Sequence, residues 1–159
     1  MADLTYIPTR EGWAYPAVIL DLCSRRVIGW NLSRVPDQRV SLAALEMAAA
    51  QRRRPQSSIH HSDRGSQYCC HEYVDLALSR GLSMSMTETN HCAENALAER
   101  MNGILKSEYG LDQRFKTKAQ SRKAVEQAIG LYGTRRPHSA LGNQFPAQVH
   151  AQAVSWPRG

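Results

Sequence analysis

"AYPAVILDLCSRRVIGWNLS", residues 14 to 33, contains two runs rich in β-branched, aromatic and aliphatic residues with only "CSR" between them. Runs of that composition read as strands. Strands joined by so short a connection must lie antiparallel and side by side. Upstream, "DLTYIPT" (3 to 9) is a third such run, joined through the polar turn "REGW". The first 33 residues therefore predict a three-stranded meander.

The period then changes. "SLAALEMAAAQRR" (41 to 53) is alanine-rich, follows Asp37 and Ser41 as candidate caps and stops before Pro55, which predicts a helix. "SSIHHSD" reads as a short strand, "HEYVDLALSRG" as a helix closed by Gly81, and "LSMSMTE" as a strand. Two further helices are expected, at about 93 to 111 and 117 to 132. The order β-β-β-α-β-α-β-α-α implies an α/β fold with a mixed sheet flanked by helices. From Gly133 the sequence loses periodicity apart from one short helix expected at 146 to 153. Residues 1–132 are thus read as one core, and 133–159 as an extension packing on it or trailing from it.

At 159 residues and 42% hydrophobic content the chain suffices for one real core. No apolar run approaches eighteen residues, and "MADLTYIPTR" carries an acid where a signal peptide would be basic. The expectation is a soluble cytoplasmic protein with no membrane partner. Cys23, Cys69, Cys70 and Cys92 lack C-x-x-C spacing, so reduced, incidental thiols are expected rather than a zinc site. A net charge of +6 favours a polyanionic partner such as nucleic acid.

The acids sort by position. Asp63, in "IHHSDRGSQY", sits at the C-terminal end of its predicted strand, where open α/β sheets bind ligands. Beside Gly65 it is equally suited to an Asx turn or a helix cap. Asp3 lies in a strand expected to be central, where a carboxylate is costly unless it binds a metal or pairs with a base. Asp21 is its rival, but Arg25 and Arg26 nearby offer it a salt bridge. In "ENALAERMNGILKSEYG", Asn95, Glu99, Asn102 and Lys106 recur at i, i+4, i+7 and i+11 as one polar helix stripe. That stripe is ordinary solvated surface unless it meets Asp63. Three carboxylates together would suit Mg2+ or Mn2+ better than zinc.

"ADLTYI", "HSDRGSQY" and "ENALAERMNGILKSE" together resemble the catalytic core of the retroviral-integrase superfamily, closest to the OrfB-type transposases of bacterial insertion sequences. Between Asp63 and Glu99 lie 35 residues, 64 to 98, the spacing of that family's D, D-35-E triad. "YPAVILDLCSRRVIGWNLS" and "LYGTRRPHSALGNQFPAQ" resemble flanking family segments, so the likeness runs from Asp3 to about Gln148.

The resemblance implies a ribonuclease H-like, five-stranded mixed sheet, with three antiparallel strands and then two more. It implies Asp3, Asp63 and Glu99 as a metal-binding catalytic triad using two Mg2+ or Mn2+ ions, and makes Asp21 a structural position. The implied activity is DNA 3′-end cleavage followed by strand transfer. Implied partners are transposon ends and target DNA, a homo-oligomer on that DNA, and an upstream DNA-binding region or companion protein outside this chain; the implied location is the bacterial nucleoid. Rival readings are a nuclease that hydrolyses without joining, and a non-catalytic remnant that binds DNA or oligomerises.

Further residues are weighed beside these. Lys106, Arg64, Ser66, Gln67, Asn95 and Asn102 are candidate DNA contacts, with helix capping the rival role for Ser66. Gly65 is read as permitting a backbone turn. His61 shares a strand face with Asp63 and is expected to be a hydrogen-bonding neighbour rather than a ligand, while His60 should point into helix packing. Arg52, Arg53 and Arg54 complement a helix end, and "SMTETNHCAE" (85 to 94) would be an active-site loop, with Asn90 as an N-cap. Arg135, Arg136 and His138 match the family's tail motif and are read as bracing.

Overall fold

A computed structural model of the chain describes residues 1–51, 58–87 and 95–152. β1 (Ala2–Leu4), β2 (Ile7–Thr9), β3 (Gly12–Leu20) and β4 (Val27–Ser33) form an antiparallel sheet with β3 as its spine. The expected first strand is split. β1 and β2 follow each other along the same edge of β3, and the break falls where Thr5 lies opposite Pro16. Thr5 N–H donates to the Pro16 carbonyl at 3.0 Å. Proline has no N–H to return the bond, so the ladder is interrupted there.

The register fixes the faces. Asp3 pairs with Val18, and Val18 with Trp30, so these three share one face, while Ala2, Ala17 and Ile19 occupy the other. The face of Ala2, Ala17 and Ile19 is buried under α1 (Gln38–Gln51) and α3 (His71–Ser79), with Leu45 and Tyr73 in the core. The alanines of α1 allow a close approach to β4. A Cβ on Gly29 would lie 2.2 Å from the Ala44 carbonyl oxygen and 2.7 Å from Ala48 Cβ, so only glycine fits. The opposite face packs Val18 and Leu20 against Met101 and Leu105 of α4 (Ala96–Ser107) and Val125 and Tyr132 of α5 (Lys118–Arg135).

β5 (Ser58–Ser62) and β6 (Leu82–Met86) pair in parallel, with α2 (Ser66–Cys69) and α3 in the crossover. β5 lies against β1. Among the described residues no ladder joins the two, so the strands stand as an antiparallel four and a parallel pair, where one five-stranded sheet was expected.

α5 runs past the expected end at Tyr132 to Arg135. After a 3-10 turn at Ser139–Leu141, α6 (Pro146–Gln152) packs on α5. His150 of α6 reaches Asp21 at 3.3 Å. Asp21 also accepts the Ser24 hydroxyl and the amides of Cys23 and Ser24. Its partners are therefore its own turn and α6, in place of the expected Arg25 and Arg26. Burial alone would raise its pKa, but the Ser24 and His150 hydrogen bonds hold it below the ordinary value.

Candidate active site

The pleat places the Asp3 carboxylate on the α4 side of the sheet. Asn102 donates its amide to Asp3 Oδ2 at 2.7 Å and Asn95 to Oδ1 at 3.4 Å. The polar stripe of α4 is thus only partly a solvated face, with Glu99 exposed and Lys106 half-buried. Asn95 and Asn102 are only 3% and 6% exposed and turn inward onto Asp3, because helical spacing sets both opposite β1. Burial pushes the Asp3 carboxyl up to about 6. The Asn102 hydrogen bond and the Leu4 amide oppose that rise, while the charges of Asp63 and Glu99 add to it. Three acids, from β1, from the end of β5 and from the first turn of α4, therefore share one electrostatic neighbourhood.

Asp63 follows β5 directly. Its Oδ1 accepts the Gly65 amide at 2.9 Å, which is the Asx turn the sequence left open. Gly65 has φ −55°, so no left-handed backbone requires glycine there; instead a Cβ would fall 2.4 Å from Gln67 Nε2. Arg64 Nε donates to the Thr87 carbonyl at 2.8 Å, tying the end of β5 to the end of β6. Gly65 occupies the N-cap of α2 with no side-chain cap bond, so Ser66 does not cap it. Ser66 is exposed and Gln67 half-buried.

His60 points into the α3 packing, where the Tyr73 hydroxyl lies 2.9 Å from Nε2, and burial lowers its pKa to about 3. His61 Nδ1 is 3.0 Å from the Ser85 hydroxyl, while its buried Nε2 has no partner. Ser62 Oγ, Tyr68 OH and Asn95 Oδ1 are likewise buried and unpartnered. Burial raises the Tyr68 phenol well above its ordinary range, with Tyr73, Asp3 and Asp63 adding to the effect.

Among the described residues, no group of three His, Cys, Asp or Glu side chains stands close enough to hold a metal ion. The donor set nonetheless fits one. It is all oxygen, as magnesium and manganese prefer. None of the ion pairs among the described residues, Arg39–Asp37, Arg136–Glu108 and His150–Asp21, involves Asp3, Asp63 or Glu99. Like-charged carboxylates hold one another apart until a cation screens them.

Lys106 completes the stripe. Its Nζ stands 4.4 Å from the Tyr6 ring centroid, and Tyr6 meets Trp13 edge to face at 5.1 Å. Both aromatics are about half exposed, and the sequence reading missed them. Burial lowers the Lys106 pKa and the charge of Asp3 opposes that. The thiols of Cys23, Cys69 and Cys70 are free. Arg52, Arg53 and Arg54, Cys92, and residues 88–94 of the expected loop, with Asn90, lie outside the described residues.

Two family profiles, each described as an integrase core domain, match residues 1–92 and 80–146. The chain belongs to the integrase core family. This integrase core is 38% identical over 154 residues to the transposase InsF for insertion sequence IS3fB of Escherichia coli K12, covering 96% of the chain and 54% of that relative. It is 37% identical over 148 residues to the insertion element IS600 uncharacterized 31 kDa protein of Shigella sonnei, covering 92% and 54% respectively. The chain spans about half the length of the curated relatives it matches.

Among solved structures, the HTLV-2 integrase catalytic core domain in complex with magnesium (dimeric form) superposes with a TM-score of 0.71 at 19% identity, over 94% of this chain and 92% of that one. A simian T-cell lymphotropic virus intasome in complex with a PP2A regulatory subunit gives a TM-score of 0.78 at 19% identity, over 99% and 54%. At that identity the likeness shows the fold, the ribonuclease H-like α/β arrangement of an integrase core. Among the described residues, no helix is long and apolar enough to cross a membrane.

Proposed function

We propose that this integrase core is the catalytic part of a bacterial transposase, cleaving DNA to free a 3′-hydroxyl at an element end and joining that hydroxyl to a target phosphodiester. The observation that carries the reading is that the charges of Asp63 and Glu99 both act on the buried Asp3 carboxyl, in a chain of this family. Asp3 and Asp63 would hold one divalent ion, and Glu99 with one of the aspartates a second. Bound there, magnesium or manganese supplies an activated water or hydroxyl and charge for the leaving oxygen. Asn102 and Asn95 hold the Asp3 carboxylate toward the centre.

Lys106 is the phosphate grip beside the acids, and Tyr6 and Trp13 offer exposed rings on which a base can stack. Ser66, Gln67 and the free part of the Arg64 guanidinium supply weaker backbone contacts. The side-by-side placement of β1 and β5 supports one five-stranded sheet in the DNA-bound state. The InsF relatives, named as insertion-sequence transposases, support work on DNA, here read as bacterial nucleoid DNA, and the dimeric HTLV-2 integrase core supports a multimer on it.

Labelled duplexes carrying an element end, incubated with the chain and Mg2+ or Mn2+, test this. Both a shortened strand and a longer joined product are expected. Shortened strands alone with either metal would leave a hydrolase and remove the transposase reading.

A further inference from the structure

The face of α4 turned away from the acids carries Leu97, Arg100, Met101 and Ile104 at i, i+3, i+4 and i+7. It walls a cavity of about 300 Å3 closed by α5, by the segment after it and by the β3–β4 turn. Met101 and Tyr132 form the floor, and Arg25, Arg100, Arg136 and His138 converge on it. We infer that this cavity seats a phosphate group of the DNA backbone, as a contact separate from the cleavage centre. The inference rests on the reading that the chain handles DNA.

Charge balance is the first argument. Three guanidiniums line the cavity, and the acid near them, Glu108, is already engaged by Arg136 through two hydrogen bonds of 2.7 Å. Among the described residues neither Arg25 nor Arg100 forms an ion pair, although Arg100 also feels the charge of Glu108. Arg25 is half-buried, and half-buried charges are ordinarily paired, so the cavity favours an anion beside it, with the exposed Arg100 at its rim.

Unmet donors are the second. Arg25 Nη1 and His138 Nε2 are both buried with no hydrogen-bond partner. Arg25 sits at φ 60°, a left-handed conformation that glycine or asparagine adopts at less cost, yet a guanidinium is what this turn places at the cavity. The field agrees: burial lowers the His138 pKa, and Arg136, Arg25 and Arg100 lower it further against Glu108. Fork-shaped donors arriving from three elements match an oxyanion with several acceptor oxygens, which a phosphate offers. The net charge of +6 favours a polyanion as its source. Because α4 stands between this cavity and Asp3, the phosphate seated here belongs to a stretch of DNA other than the one being cut.

The test is binding of a fluorescent duplex to the full chain across a salt series, beside titration of inorganic phosphate followed by the histidine ring signals in NMR. The variants are Arg100→Gln and Arg25→Gly; glycine tolerates the left-handed turn, so Arg25→Gly removes the charge without straining the fold. The expected result is a several-fold weaker Kd, with log K against log salt shallower by about 0.9, the slope carried by one phosphate. Millimolar phosphate should also shift the His138 signal in the wild type and not in Arg100→Gln. Unchanged slopes with intact wild-type DNA binding overturn the inference while leaving the proposed function standing. A phosphate-induced shift without a slope change assigns the cavity to free phosphate and overturns the DNA source. Failure of the wild type to bind DNA at all overturns both readings together.

Discussion

The two faces of helix α4 carry opposite chemistry on one scaffold. One face turns Asn95, Glu99, Asn102 and Lys106 toward Asp3, and the other turns Leu97, Arg100, Met101 and Ile104 toward the Arg25 and His138 cavity. On the first face, burial lifts the Asp3 carboxyl to about 6, and the charges of Asp63 and Glu99 add to the rise. On the second, Arg25, Arg100 and Arg136 line one cavity, and Arg25 Nη1 and His138 Nε2 are buried there without a hydrogen-bond partner. The all-oxygen acids suit a cation on one side, and the guanidiniums suit an anion on the other. On the proposed reading, the cleavage centre with Lys106 beside it and the second phosphate contact lie on opposite sides of one helix.

The comparison breaks most easily at the acids. Asp63→Asn or Glu99→Gln should abolish both cleavage and joining, since losing several kcal/mol of charge stabilisation corresponds to roughly 10³-fold or more in rate. Duplex binding without metal should be unchanged or tighter in the same variants, because a negative charge has been removed. Weakened metal-free binding would show that the acidic face contributes to grip as well.

Asn102→Ala comes next. It leaves the Asp3 carboxylate buried without its shorter hydrogen bond, and positioning partners of this kind typically affect metal affinity by about 10 to 100-fold. Calorimetry with Mn2+ should show that loss while Asn102→Asp, which adds charge and removes the donor, loses more. Equal affinity in Asn102→Ala and wild type would mean the 2.7 Å bond is incidental.

Much of this arrangement is legible in the sequence. The short turn "CSR" dictates an antiparallel pair, and the cost of a carboxylate in a strand expected to be central singles out Asp3 before any fold is seen, although the described ladders pair β1 with β3 alone. The stripe from Asn95 to Lys106 is visible from spacing alone. What spacing leaves open is its direction, because the same period serves solvent or a buried carboxylate, and here two asparagines chose the carboxylate. The split of the first strand hinges on Pro16, which is opposite Thr5 only once the register is known. The four residues of α2 are too few to show a period. The cationic cavity is the least legible part. Arg25, Arg100 and Arg136 come from a turn, a helix and a tail, and only packing brings them together.

Smaller effects sharpen the cationic side. The turn that carries Arg25 is anchored by Asp21, so Asp21→Asn should cost about 1 to 2 kcal/mol of stability by chemical denaturation. The native pKa of Asp21 is lowered, so its contribution is present above the unfolded carboxylate pKa and is lost as pH falls through the native value. Wild-type stability should therefore decline on acidification through that range, and the decline should be flatter in Asp21→Asn. An identical acid limb would separate Asp21 from the turn's stability. The smallest change is Glu108→Gln. The exposed ion pair contributes at most about 1 kcal/mol, but freeing Arg136 should tighten duplex binding modestly at low salt and leave the cleavage rate alone.

The most direct test of the central claim is a crystal of the chain soaked in manganese, read by anomalous scattering. The account predicts ion density bounded by the carboxylates of Asp3, Asp63 and Glu99, with Asn102 still hydrogen-bonded to Asp3. Manganese held elsewhere, or a soak in which these three carboxylates share no ion, would contradict it.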